Sequence, residues 1–501
     1  MSRWTRPPLA VGAALLGALV LRSPFLGTTL ESDEAGFLLV ARQWTVGGPH
    51  LYGDLWVDRP PLLIVIFRIA SWLGDDVAVR VVGSLAVAGL VVAAGRSGWL
   101  VGGRRGAWWS ALTAAALGAT PALGTHDSNS ELLAVPFVML CVALTLKSVG
   151  SRTPWGRGGL AFAAGFAGSC ALLVKQSFVD GLLFGGVLLV ALAATRAWSW
   201  GRAVRILGVG AAGSLVPAAA AVVWSVVYGP GAKVLWLTMY DFRLQATDVI
   251  AEQHSEAPIR RLGVLLLLAV VSGVVLLGWA FLRARYRQIR RGDPVAIATL
   301  AMLGVGVLGI ALGASYWHRY LIQLIPGLAL AAGLVAAQPD RAGVWMRRAI
   351  VVTAGSACVA VLTVAGFFAV LAKPEASAAS LGDWLAESSA PGDTAVVLYG
   401  HANVLERSGL GTPYPYLWSL PIRTRDPELA DLRVTLSGRD APAWVVAWDA
   451  LNSWDIDRSG QLAFALNAGY RDVVAICGHT LYLRQDLTRD LADVPDDCGE
   501  L

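Results

Sequence analysis

Charged residues are scarce in this sequence. They make up 15% of its 501 residues, whereas 56% are hydrophobic and the mean hydropathy is +0.59. This composition excludes a water-soluble enzyme and predicts a polytopic membrane protein. The net charge of +5 does not indicate a nucleic-acid partner, because the basic residues are confined to short loops between apolar runs, where orientation in the bilayer accounts for them.

Lysine, cysteine and a signal-peptide cleavage site are rare or missing. The chain has four lysines against 36 arginines, which, with its many Ala, Gly and Val, is typical of a high-GC bacterial genome. Cys141, Cys170 and Cys358 fall in apolar runs and are interpreted as small buried hydrophobes, whereas Cys477 and Cys498 are free to pair if the C-terminal part is extracytoplasmic. No A-x-A-like site follows the first apolar run, so this run is expected to be retained as a span.

Long apolar runs dominate what is present. About eleven of them can cross a hydrocarbon core about 30 Å thick as helices. The predicted spans are 8–28, 77–96, 106–122, 131–148, 158–174, 178–195, 204–228, 262–282, 296–313, 319–337 and 349–372. The composition turns polar near residue 374, where "TAVVLYG", "AWVVAWD", "RDVVAIC" and "TLYLR" predict strands. The expected fold is mainly α, with a transmembrane catalytic domain over 1–373 and a small extracytoplasmic α/β domain over 374–501.

Loop charges predict the orientation. With the N-terminus in the cytoplasm of a multi-pass plasma-membrane protein, the arginine-rich loops all lie inside, which satisfies the positive-inside rule. Most loop carboxylates then lie outside. These are Glu31, Asp33, Glu34, Asp54, Asp58, Asp127, Glu131, Asp241 and Glu252.

The stretch "ESDEAGF" places three of these carboxylates directly after the first span. Acidic residues contribute little to topology, so a purely topological role explains them poorly. On a helix, Asp33 and Glu34 point in directions about 100° apart, so one rigid point presents two carboxylates, and a functional role is favoured for Asp33. Further along the same loop, Pro60 and Pro61 hold Asp58 and Arg59 at a corner before a helix that is expected to lie at the membrane interface.

The other outer loops supply candidates that each have a structural alternative. Glu131 either acts in the site or closes a capping box with Ser128, whereas Asp127 lies just outside that cap. Lys175 either acts in the site or snorkels. His318 and Arg319 are also compatible with an aromatic belt. Tyr240, Asp241 and Arg243 are also compatible with a solvated loop, and the C-terminal aromatic residues Tyr414, Tyr416, Trp418, Trp448 and Trp454 with core packing.

These motifs resemble, in order and in sidedness, the family 39 type of the GT-C superfamily of membrane glycosyltransferases, which includes protein O-mannosyltransferases and lipid A aminoarabinose transferases. The matching features are Asp33-Glu34, the corner Asp58-Arg59-Pro60-Pro61-Leu62, Arg80 with Ser84, Asp127 with Glu131-Leu132-Leu133, and "HRYLIQLIPGLAL" from His318. The resemblance covers about residues 8–340, and Lys175 stands where these proteins tend to have a basic residue. Arg59 departs from a common lysine, which keeps the charge but changes the geometry toward phosphate.

The resemblance implies a polyprenyl-phosphate sugar donor and inversion at the anomeric carbon. A lipid-borne donor is also what chemistry demands outside the cytoplasm, where nucleotide sugars are normally absent. Asp33 is expected to be the general base, with Glu34 and Asp127 as the accompanying carboxylates. The residues expected to bind donor phosphate or acceptor are Asp58, Arg59, Glu131, Lys175, Tyr240, Arg243, His318 and Arg319.

The acceptor class and the cofactor stay open at this level. A glycan, a glycolipid and a protein all offer hydroxyl groups, and membrane lipids surround the chain. No metal site is predicted, although some GT-C relatives hold a divalent cation between paired carboxylates, and the sequence leaves that open. The alternative function is a transporter or lipid flippase. It is disfavoured because no internal repeat is evident and the ionisable residues cluster at one face instead of the bilayer midplane.

Overall fold

The computed structural model describes residues 9–45, 50–74, 76–252, 257–370, 375–495 and 498. Its first part is a bundle of helices. They are α1 (Leu9–Arg22), α2 (Ser32–Gln43), α3 (Pro61–Leu73), α4 (Asp76–Ala119), α5 (Ser130–Val149), α6 (Pro154–Val174), α7 (Asp180–Ala194), α8 (Trp200–Val227), α9 (Ala232–Trp236), α10 (Phe242–Glu252), α11 (Ala257–Val271), α12 (Val274–Arg290), α13 (Pro294–Leu312), a 3-10 helix (His318–Leu324), α14 (Ile325–Ala336) and α15 (Arg341–Val370). Each of the eleven predicted spans overlaps a helix, an arm of α4 or, for 262–282 and 319–337, two successive helices.

Seven helices among the described residues are long and apolar enough to cross a membrane, or eight if the bent pair α11 and α12 forms one span. The eleven predicted spans exceed this number partly because α1 and α7 are short. Helix α4 also contains two of them, since it reverses at Gly103, whose φ of 59° and ψ of −150° are not helical. Glycine reaches this conformation at little cost, and the backbone of Gly98 then packs against that of Gly106 in the returning arm.

The predicted span 262–282 is not a single helix. Helices α11 and α12 meet at an angle of 62°. The break falls at Gly273, which has a φ of 84° and lies tightly against Thr353 of α15. A side chain at this position would collide with α15, so glycine allows the chain to turn here. The core of the bundle is α14, all twelve residues of which are buried, with α4, α12, α13 and α15 packed around it.

The C-terminal part is a mixed sheet with helices, as predicted. Its helices are α16 (Ala376–Ser388), α17 (Ala402–Ser408), α18 (Ser419–Arg425), α19 (Ala430–Ser437) and α20 (Gln461–Gly469), and its strands are β1 (Ala395–Val397), β2 (Trp444–Ala447), β3 (Tyr470–Ile476) and β4 (His479–Arg484). The strand order is β1-β2-β4-β3, in which β1 and β2 are parallel and the other neighbours are antiparallel. A disulfide joins Cys477 to Cys498. The predicted domain boundary between residues 373 and 374 lies outside the described residues.

The C-terminal part docks on α2 and on the loop after it. The backbone N–H of Trp56 donates to the carbonyl of Pro415 at 2.9 Å, and the N–H of Ala402 donates to Oγ of Ser32 at 3.2 Å. The ring of Trp418 packs on that of Phe37 with a centroid separation of 5.5 Å. The sheet domain therefore lies directly beside the carboxylates that follow the first span.

Candidate functional site

The N-terminus of α2 fixes the direction in which Asp33 points. Glu31 is the N-cap and forms a capping box with Glu34, whose carboxylate accepts the N–H of Glu31 at 3.1 Å. At the other end of α2, the guanidinium of Arg68 donates to the carbonyls of Ala41 and Arg42, both at 2.7 Å. Asp33 takes no part in the cap. Its carboxylate instead forms an ion pair with Arg319 of the 3-10 helix at 2.8 Å, and both side chains remain partly exposed.

Three further cations lie around this pair. Lys175, which ends α6, forms an ion pair with Glu131 and lies 5.0 Å from the ring centroid of Tyr320. Arg59 and Arg243 both form ion pairs with Asp58, the former at 2.7 Å. The structure thus brings together residues from six different segments. They are Asp33, Asp58, Arg59, Glu131, Lys175, Arg243 and Arg319, and we call them the charged cluster.

Electrostatic coupling joins the members of the charged cluster. Burial alone would lower the pKa of the Arg59 guanidinium, but the charges of Asp58, Asp33 and Glu131 raise it above its ordinary value. Arg319 likewise interacts with both Asp33 and Glu131. The cluster has four cations, Arg59, Lys175, Arg243 and Arg319, against three carboxylates. Because the cations outnumber the carboxylates, a phosphate can replace a carboxylate as the partner of one of the cations.

A second network of charges is buried beneath the cluster. Arg80 forms ion pairs with Glu34 at 3.0 Å and with Asp127 at 2.5 Å, and all three side chains are almost fully buried. Arg80 also donates to the carbonyls of Thr29 at 2.9 Å and His126 at 3.0 Å. The other Glu34 oxygen accepts the N–H of Ser128 at 2.7 Å. This buried network ties α2, α4 and the loop before α5 into one unit.

The capping-box alternative for Glu131 is wrong. The N-cap of α5 is Asn129, whose side chain accepts the N–H of Leu132 at 2.9 Å. The hydroxyl of Ser128 donates instead to the carbonyl of Val79 at 2.7 Å. Glu131 is therefore free of the cap and pairs with Lys175, an ion pair that also replaces the snorkelling alternative for that lysine.

Glu34 and Asp127 belong to the buried network, and two further candidate residues, Tyr240 and His318, lie outside both the network and the charged cluster. The ring of Tyr240 packs in a tilted arrangement against that of Trp236 with a centroid separation of 4.6 Å, and it is exposed. His318 lies against the backbone of Gly124 in the loop before α5, next to Arg319 but turned toward His126. Most of the C-terminal aromatic candidates serve packing: Tyr414 is buried and donates to Asp426 at 2.9 Å, and Trp448 is stacked between His401 and His479.

Known structures share this arrangement of helices and sheet. ArnT of Cupriavidus metallidurans bound to undecaprenyl phosphate superposes with a TM-score of 0.66 at 16% identity, over 95% of this chain and 97% of that one. The chain has a GT-C fold. The GT-C oligosaccharyltransferase of Archaeoglobus fulgidus also superposes. Its complex with Zn and sulfate gives a TM-score of 0.58 at 12% identity, over 95% of this chain and 73% of that one, and its complex with an inhibitory peptide and a dolichol-phosphate gives 0.52 at 10%, over 97% and 75%. No protein-family model and no curated protein sequence matches the chain.

Sequence reasoning missed several residues of this candidate site. Arg80 was noted only as part of a motif, whereas Arg22, His126 and Tyr320 were not singled out for the site. Arg22 donates to Ser84 at 3.2 Å and, like Arg80, to the carbonyl of His126. A signal for both arginines was present, because each stands at the carboxylate-rich end of an apolar helix, where the positive-inside rule does not account for it.

A trio of ligand-type atoms lies at the edge of the buried network. Oxygen and nitrogen atoms of Glu31, His126 and Asp127 all lie within 4.8 Å of one another, and Nδ1 of His126 is buried without a hydrogen-bond partner among the described residues. Two carboxylates and an imidazole suit a divalent cation in type. However, Arg80 already pairs with Asp127, and Arg22 lies beside it, so a dication would have to displace an arginine. The trio fits a metal poorly for this reason.

Of the two neighbouring carboxyl groups Glu31 and Asp127, one is expected to be protonated and the other ionised. Burial and the charges of Asp127 and Glu34 raise the pKa of Glu31 well above its ordinary value. Burial alone would also raise the pKa of Asp127, but His126, Arg80 and a hydrogen bond from Glu31 hold it below its ordinary value. The proton therefore belongs to Glu31, which donates to Asp127. Burial raises the pKa of Glu34 to about 7 against the opposing pull of Arg80.

The variant Glu31→Gln is expected to change the free energy of unfolding by less than about 1 kcal/mol, because its amide can donate as the protonated carboxyl does. Glu34→Gln is expected to cost about 1–3 kcal/mol, since one of its two acceptor oxygens becomes a donor facing N–H groups. Because the pKa of Glu31 is raised in the folded protein, this residue contributes to the free energy of unfolding at low pH, and the contribution is lost as the pH rises through the raised pKa. Glu31→Gln should therefore make the free energy of unfolding less dependent on pH in this range. Thermal unfolding in detergent at several pH values measures both effects. Equal destabilisation by the two variants would contradict the assignment.

Proposed function

We propose that this protein is a glycosyltransferase that moves a sugar from a polyprenyl-phosphate donor to a hydroxyl group of an acceptor. The observation that carries the proposal is the charged cluster, in which one carboxylate, Asp33, stands outside the helix cap and faces several cations at the end of the bundle. The similarity of fold to ArnT bound to undecaprenyl phosphate supports the choice of donor.

Asp33 acts as the general base in the proposed reaction. The acceptor oxygen attacks the anomeric carbon of the donor sugar while its proton passes to the Asp33 carboxylate. The bond between the anomeric carbon and the phosphate oxygen breaks, and its electron pair leaves with the lipid phosphate. A single displacement of this kind inverts the configuration at the anomeric carbon. The products are the glycosylated acceptor and polyprenyl phosphate.

The cations of the cluster hold the leaving phosphate. Arg59, Lys175 and Arg319 carry the charges that offset the negative charge as it develops, and Arg243 reinforces Arg59 through their shared partner Asp58. When the phosphate enters, Lys175 and Arg319 exchange part of their contact with carboxylates for contact with phosphate oxygens. His318, beside Arg319, borders this position. No step requires a metal ion.

Glu34 and Asp127 position the base in this proposal. They hold Arg80 in the buried network, and that network anchors the first turn of α2, from which Asp33 projects. A rigid base is worth more than a mobile one, because proton transfer depends on a carboxylate already aligned with the acceptor hydroxyl. The proposed site faces the extracytoplasmic side of the plasma membrane, as the arginine-rich loops at the opposite end of the bundle indicate.

The function is tested by comparing three strains: the parent, the deletion strain, and the deletion strain complemented with the gene. Mass spectrometry of envelope glycans, glycolipids and glycoproteins is expected to show the loss of one sugar residue from one acceptor class. Membranes that contain the protein are then expected to restore that sugar from a radiolabelled polyprenyl-phosphate pool. An unchanged set of glycans, together with a changed distribution of the lipid donor between leaflets, would contradict transfer and favour a flippase.

A further inference from the structure

A polar pocket lies between the helical bundle and the sheet domain. Its volume is about 140 Å³, and its walls come from the start of α11, the segment before the 3-10 helix, α18 and Trp454. One buried water needs roughly 10–15 Å³ of such volume, so the pocket has room for a chemical group of a ligand. The polar and aromatic side chains that line it are Arg261, Ser315, Trp317, Ser419, Arg423 and Trp454.

The two arginines of this pocket have no carboxylate partner among the described residues. The guanidinium of Arg261 lies 4.0 Å from the ring centroid of Trp317, and that of Arg423 lies 5.4 Å from that of Trp454. Within the part of the chain that the structure describes, Nε of Arg423 is buried without a hydrogen-bond acceptor. Burial and the charge of Arg261 lower the pKa of Arg423. Two partly buried cations that face each other over a cavity leave donors unsatisfied, and an anion entering the cavity would satisfy them.

The pocket is connected to the proposed base by a short series of contacts. The guanidinium of Arg319 lies 5.3 Å from the centroid of Trp317, the ring that Arg261 also contacts. The other side of Arg319 pairs with Asp33 at 2.8 Å. The series leads from Asp33 toward the sheet domain, whereas Lys175 and Arg59 approach Arg319 and Asp33 from the bundle. An anion bound in the pocket is thus positioned to be part of the acceptor, because the donor phosphate is expected to bind on the other side, at the charged cluster.

We propose that this pocket binds an anionic substituent, a carboxylate or a phosphate, on the sugar acceptor. The inference rests on the proposed function and deepens it, because it assigns the acceptor to an acidic class. Guanidinium groups suit both anions, because a carboxylate and a phosphate each present two oxygens that can accept two N–H donors of one arginine. Three of the lining residues, Ser419, Leu420 and Arg423, belong to α18, so the sheet domain takes part in choosing the acceptor.

Ligand-detected NMR on the full chain in detergent tests the pocket without any need for sugar transfer. The probes are methyl β-glucuronide, glucose 6-phosphate and the neutral methyl β-glucoside. At least one anionic probe is expected to bind more tightly than the neutral one, and Arg423→Gln and Arg261→Gln are each expected to weaken that binding by about tenfold. Preference for the glucuronide indicates an acceptor with a uronic acid, and preference for the phosphate indicates a phosphorylated one.

Three variants serve as controls. Arg439→Gln removes an exposed arginine of the same domain and should bind the anionic probe as the wild type does. Asp33→Asn should also keep probe binding, which separates this inference from the proposed function. Unfolding midpoints close to that of the wild type show that the pocket variants are folded. Equal binding of the neutral and both anionic probes, or unchanged affinity in folded Arg261→Gln and Arg423→Gln, would overturn the proposal.

Discussion

The variant Asp33→Asn is expected to slow sugar transfer by about 10²–10⁴-fold, the usual contribution of a general base. The asparagine amide cannot take the proton of the acceptor hydroxyl, whereas the size of the side chain and its position on the first turn of α2 are unchanged. The loss should appear in kcat more than in KM, since Asp33 acts on a proton that moves in the transition state. Measurement requires purified protein, a radiolabelled lipid-linked sugar and the acceptor identified from the deletion strain.

Asp54→Asn is the matched control for Asp33→Asn. Asp54 is an exposed carboxylate of the same long loop and makes no ion pair among the described residues. The Asp54→Asn variant is expected to transfer sugar at the wild-type rate. Asp33→Asn should remain folded, because the partly exposed pair with Arg319 contributes no more than about 1 kcal/mol. Transfer at an undiminished rate by the folded Asp33→Asn variant would show that another group accepts the proton.

The variant Arg80→Met is expected to lower the free energy of unfolding by about 3–5 kcal/mol. It leaves two buried carboxylates, Glu34 and Asp127, without their shared cation, and it removes donors to the carbonyls of Thr29 and His126. Removing Arg80 lowers the free energy of unfolding by more than its ion pairs contribute to it, because an uncompensated charge stays buried. The unfolding transition in detergent, followed by circular dichroism with a denaturant, measures the change.

Two further variants show whether charge is the cause of this loss. Arg104→Met removes an exposed arginine at the turn of the same helix and should unfold as the wild type does. The triple variant Arg80→Met, Glu34→Gln, Asp127→Asn should recover part of the stability, since it removes the stranded charges along with the cation. A loss below about 1 kcal/mol in Arg80→Met would mean that Glu34 and Asp127 take up protons at little cost.

The sequence predicted the helices and strands well because their signals are local. Each of the four runs that predicted strands overlaps one strand of the sheet, and every apolar run overlaps a helix. The local pattern could not predict where a helix bends or reverses its direction. Helix α4 folds back on itself at Gly103, and α11 and α12 bend at Gly273, where contact with α15 decides the geometry. Such contacts depend on residues far apart in the chain.

The candidate site was predicted in part for a similar reason. Sequence order and sidedness placed Asp33, Asp58 and Glu131 on one face, and the structure brings these three together with cations. Partners could not be predicted, because pairing across helices is invisible to spacing along the chain. Arg80 is separated by 46 residues from Glu34 and by 47 from Asp127, so nothing local identified it as their common partner. The capping-box signal at Ser128 and Glu131 was misleading, because Asn129 next to it is an equally good cap.

The seam between α2 and the sheet domain makes the two parts of the chain interdependent. Phe37 and Trp418 cover each other, and the strand-like contact of Trp56 with Pro415 closes the seam on the other side. A chain shortened before α16 would leave these aromatic rings facing water and would take away the wall of the anion pocket that α18 supplies. In the proposed reaction the sheet domain supplies one wall of the acceptor pocket, so changes in acceptor choice are expected to map to this domain before they map to the helical bundle.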